Sequence, residues 1–126
     1  MKFKVLVLLA LLFLFVGSAT AQTFNMTGNW SFVRGYTGTS ETLDLSASSA
    51  SSFTGWFLVI KNGILTARCQ VMNGIVRSDN SITFTVLCES DGTTMLVAGH
   101  SVSDDDARGT WRLSGGTSGT FEMKRQ

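Results

Sequence analysis

The side chains able to do chemistry are few and scattered. His100 is the only histidine among 126 residues, and no second imidazole or paired ligand spacing stands near it. Cys69 and Cys88 are the only cysteines. Two cysteines and one histidine do not make a zinc site. Asp104, Asp105 and Asp106 have the hard oxygens calcium takes, but an acidic triplet in a loop is ordinarily solvated. Glu89 and Asp91 flank a turn, where carboxylates are common for backbone reasons. Serines are numerous, yet none sits in a Gly-x-Ser-x-Gly elbow. Glycines punctuate strands instead of forming a phosphate-cradling loop. These observations predict a protein that is not an enzyme and has no cofactor and no metal.

A disulfide is the chemistry the cysteines suit best. An even count in an oxidising compartment favours pairing. With a turn over Arg77-Ser78-Asp79-Asn80, Cys69 comes almost opposite Cys88 on a neighbouring strand. Side chains alternate along a strand, so Ile82, Phe84, Val86 and Cys88 share a face. The other reading is two free buried thiols.

The compartment is read from the first residues. Met1 to Lys4 is a short basic start, Val5 to Val16 is an unbroken apolar run, and Ala19-Thr20-Ala21 is an A-x-A cleavage site. The run is short for a bilayer span, which needs ~20 residues. Residues 1–21 are therefore expected to be a signal peptide and 22–126 a single domain, secreted or periplasmic. That domain carries 8 Lys+Arg against 9 Asp+Glu, the other two lysines lying in the signal. Such a balance gives no electrostatic reason to expect nucleic acid or an anionic membrane as a partner.

Eight short runs with a period of two follow the leader, and none has a helical period. Trp30, Phe32 and Arg34 alternate in the first. Leu43 and Leu45 alternate in the second, and Phe53 to Ile60 is apolar on both faces. Asn62-Gly63 between Lys61 and Ile64 is a two-residue hairpin turn. Asn73-Gly74 is read as a bulge within a strand from Ile64 to about Val76, which keeps the cysteines opposed. Strands over 82–89, 93–102, 108–113 and 119–125 complete the chain. Hairpin-length links predict an all-β, eight-stranded antiparallel up-and-down β-barrel. An open sandwich is the alternative.

Glycine recurs beside large aromatics, in Gly28-Asn29-Trp30, Gly55-Trp56, Gly109-Thr110-Trp111 and Gly119-Thr120-Phe121. This pairing lets a strand approach closely while a ring fills the space over it. Gly28-Asn29-Trp30 in a first strand, with an arginine in the last, resembles the calycin superfamily of lipocalins, fatty-acid-binding proteins and avidins. That resemblance implies that Gly28 and Arg125 are structural, with Arg125 packed across Trp30. The likeness extends towards the avidins through Thr27-Gly28-Asn29-Trp30, Phe53-Thr54-Gly55-Trp56, Phe84-Thr85-Val86 and Gly109-Thr110-Trp111. Biotin is not implied. Phe32 and Arg34 stand where an avidin-like protein places ureido-binding polar groups, Leu87-Cys88 replaces an aromatic, and Gly119 replaces a polar partner.

Two functions fit this pattern. In the first, the barrel holds a small apolar ligand among inward residues, with Trp30, Phe32, Phe57, Phe84, Trp111 and Phe121 as the candidates. In the second, it is a protein-binding module, such as a protease or lysozyme inhibitor. It would then act through the lead-in Gln22 to Thr27, the loop Tyr36 to Glu41, or the face around Trp56 and Leu58. The doubly apolar third strand also suits a homo-oligomer. A hollow interior with inward polar groups marks the carrier; a filled one marks the inhibitor.

Overall fold

The structure, a computed structural model, describes residues 24–126. The expected signal peptide lies outside these residues. Eight strands run in chain order: β1 (Gly28–Val33), β2 (Thr39–Ala47), β3 (Ser52–Lys61), β4 (Ile64–Val76), β5 (Ser81–Cys88), β6 (Thr93–Ser103), β7 (Asp106–Leu113) and β8 (Ser118–Arg125). Each pairs antiparallel with the next, and β1 also pairs with β8, closing the barrel. The closed form excludes the open sandwich.

Local chemistry sets the turns. Asn62 and Gly63 adopt φ of 51° and 78°, the conformation a two-residue hairpin requires. Asn73 has φ 55°, and the β4–β5 register shifts between Met72 and Ile75. The bulge therefore falls at Asn73-Gly74, and beyond it Gln70 faces Leu87. Cys69 and Cys88 then meet as a disulfide, with Cα atoms 4.5 Å apart. β2 begins at Thr39, earlier than the apolar pattern alone indicates. Glu41, expected in an exposed loop, is thus a buried strand residue.

Alternation sends one row of each strand inward. Trp30, Leu43, Leu45, Phe53, Val71, Val86 and Met123 are almost fully buried. The aromatics fit against glycines on neighbouring strands, more than beside them in sequence. The Phe53 ring lies over Gly74 and the Trp111 indole over Gly119, where an added Cβ would come within 2.6 Å and 2.9 Å of those rings. Outward residues are mostly polar. Trp56 is exposed on the outer face of β3, and the Arg68 guanidinium covers its ring at 3.8 Å.

The two ends of the barrel differ. At one, residues 24–27 fold beneath β1. Phe24 and Met26 are buried, Phe24 meets Trp30 edge-on at 5.8 Å, and the indole of Trp30 donates to the Met26 carbonyl. The Arg125 guanidinium lies 4.2 Å above Trp30 and donates to the Thr27, Asn25 and Asp104 carbonyls. Gly28 has φ +133°, and a Cβ there would press on Arg125 at 3.0 Å. Residues 24–27, part of the lead-in considered as a protein-binding surface, instead form a plug through the buried Phe24 and Met26. Their apolar side chains find cover only inside the barrel.

Candidate functional site

Above the plug the interior is filled by rings. Phe53 meets Phe84 at 5.7 Å, Phe32 stacks on Phe121 at 4.8 Å, and Phe57 contacts Phe32 edge-on at 5.5 Å. These contacts occupy the lower and middle barrel. Beyond them the strands continue to the opposite end, which none of the described residues closes.

The result is a cup of about 760 Å³, within the range of small-molecule sites. Phe57 and Val59 of β3, Ala67 of β4, Val86 and Cys88 of β5, Met95 of β6 and Leu113 of β7 form its apolar walls. Its rim carries Thr37, Thr39, Lys61, Thr66, Ser90, Asp91 and Thr93. The disulfide is part of the wall, since Cys88 lines the cup while Cys69 is buried behind it.

Arg34 and Glu41 provide the charge at the cup floor. Arg34 continues the inward row of Trp30 and Phe32, and Glu41 begins the inward row of Leu43 and Leu45. The Arg34 Nε donates to Glu41 Oε1 at 2.7 Å, and Nη2 donates to Oε2. Their side chains are only 10% and 6% exposed. Nη1 donates to the Met95 sulfur at 3.2 Å. The guanidinium rests among four rings, 4.6 Å from the centre of Trp111, 5.0 Å from Tyr36, 5.7 Å from Phe32 and 5.9 Å from Phe57. Aromatic faces attract the cation, so the rings and the carboxylate together fix its plane.

The rim is braced at the β5–β6 turn. Asp91 accepts from the Thr93 hydroxyl at 2.7 Å and from its amide at 3.0 Å. Those bonds, the hydroxyl's foremost, hold the Asp91 carboxyl below its ordinary pKa.

The structure separates the six candidate ligand-binding aromatics. Phe57 lines the cup, and Trp111 supports Arg34 beside it. Phe32 lies under Arg34, while Phe84 and Phe121 are packed in the filled part of the barrel. Trp30 is sealed between Phe24 and Arg125 at the plugged end. Sequence reading missed the Arg34–Glu41 pair as a unit. The available signal was that both residues extend an inward apolar row by one period.

The other polar candidates lie elsewhere. His100 is exposed on the outer face of β6. Asp105 pairs with Arg125 and Asp106 with Arg108. Among the described residues, no three histidine, cysteine, aspartate or glutamate side chains gather to hold a metal.

Known structures share this architecture. The chain is similar to a de novo designed fluorescence-activating β-barrel, with 19% identity and a TM-score of 0.63, covering 80% of this chain and 94% of that one. A redesigned β-barrel matches with 11% identity and a TM-score of 0.64, covering 80% and 91%. Another, mFAP1 bound to DFHBI, matches with 10% identity and a TM-score of 0.55, covering 80% and 94%. At these identities the likeness concerns the fold. No family model and no curated protein matches the sequence, so the calycin resemblance rests on its motifs.

Proposed function

We propose that the protein is a non-catalytic binding protein, secreted or periplasmic, that holds one small and largely apolar ligand in the open cup. The observation carrying this reading is the division of the interior. One half is plugged and ring-filled, while the other is hollow for about 760 Å³ with a polar pair at its floor. A barrel serving only as a scaffold gains stability by filling that space. A hollow end with inward polar groups fits a carrier better than an inhibitor acting through its surface. The apolar walls supply affinity and the few polar groups orientation. The mFAP1 structure, with DFHBI bound, offers a parallel from the same fold. Export is supported by the leader-like residues 1–21 and by the Cys69–Cys88 disulfide, which suits an oxidising compartment.

Native mass spectrometry of the protein purified from its own source tests the reading. A retained small molecule is expected, and Ala67→Phe, which pushes a ring into the cup, should remove it without unfolding the barrel. Equal retention by that variant, or no ligand from any source or apolar compound panel, would sink the reading.

A further inference from the structure

We infer that the Arg34–Glu41 pair selects for an uncharged ligand bearing a carbonyl-type acceptor, and against both carboxylates and plain hydrocarbons; this rests on the cup being a ligand site. The argument begins with the donors. Nε and Nη2 are engaged by Glu41, and Nη1 gives one hydrogen to Met95. A guanidinium has two hydrogens on each Nη, so one N–H on each remains without a partner among the described residues. Arg34 lines the cup, and Nη1 and Nη2 each keep one such hydrogen for a ligand acceptor.

Charge decides which acceptor suits them. Glu41 grips the guanidinium through both oxygens, so the floor carries a cation and an anion together. An incoming carboxylate gains Arg34 but also meets Glu41, whose side chain is only 6% exposed and so poorly screened by solvent. At the rim, Lys61 and Asp91 are again one of each sign. The cup therefore offers strong hydrogen-bond donors with no net attraction for an anion. A carbonyl oxygen takes the donors and adds no charge. A hydrocarbon leaves donors desolvated and unpaired, which is costly.

The test uses three probes of one size: ethylnaphthalene, acetylnaphthalene and naphthoate, all substituted at the same ring position. Equilibrium dialysis at neutral pH gives the order. Acetylnaphthalene should bind tightest, about tenfold above each of the others. Glu41→Gln removes the anion at nearly constant shape, and naphthoate should then overtake acetylnaphthalene. In the double variant Arg34→Leu/Glu41→Leu the donors are gone, and ethylnaphthalene should bind at least as well as acetylnaphthalene. Circular dichroism establishes that each variant keeps its strands. If all three probes bind the native protein equally, or naphthoate binds it best, the selectivity is overturned while the ligand site stands. An unchanged probe order in both variants overturns it too. If no probe binds, the cup itself is not the site and both readings fall.

Discussion

Arg34 and Glu41 show how much the consequence of a substitution depends on what remains behind. Glu41→Ala leaves a guanidinium that is 10% exposed without its partner, which should cost about 3–5 kcal/mol. Replacing both residues by leucine removes both desolvation costs, and the double variant should return to within about 1 kcal/mol of the native protein or exceed it. Urea denaturation distinguishes the cases, and two equally unstable variants would refute the pairing argument. Asp91 belongs to the same scale. Its hydrogen bonds from Thr93 favour the ionised carboxylate and lower its pKa from 3.8. The turn is therefore fully braced above the usual carboxylate range and loosens as pH falls through the lowered value. Thr93 amide exchange should speed up over that interval, and an Asp91→Ala variant should show fast exchange already at neutral pH.

Strands and turns were the most legible level of this sequence. Alternation marked Leu43 and Leu45 as inward, Asn62-Gly63 as a hairpin, and Asn73-Gly74 as the bulge that opposes the cysteines. These follow from local rules. The cup was not legible, because which end stays open depends on whether residues 24–27 fold under Trp30 or away from it. Glu41 was read as loop because a carboxylate at the head of an apolar row gives no sign of the arginine that neutralises it. Two tests address strand contacts. Gly109 pairs with Gly99, and a Cβ on Gly109 would meet the Ala98 carbonyl at 2.1 Å and Gly99 Cα at 2.4 Å. Gly109→Ala should therefore force the strands apart and cost at least about 1–3 kcal/mol, read from the thermal midpoint. Removing the disulfide by Cys69→Ala/Cys88→Ala should lower stability by about 2–4 kcal/mol. A smaller loss would mean that β4–β5 pairing holds the wall unaided.

The whole molecule is a plugged barrel whose closure is sealed by its last strand. Arg125 of β8 reaches the lead-in carbonyls and the β6–β7 turn while covering Trp30. Arg125→Ala should remove these charge-assisted bonds together, cost about 3 kcal/mol, and red-shift the Trp30 emission as water reaches the ring. Of the eight pairings around the barrel, seven join consecutive strands, and only β1 with β8 joins distant ones. Trp30 must wait for Arg125, its register partner. Until then a folding chain carries two open sheet edges, the kind that recruit other chains. Such nonlocal closure belongs to the slow end of two-state folding, in the range of roughly milliseconds to seconds. The arrival of β8 beside β1 thus sets the interval during which a newly made molecule is most exposed to aggregation.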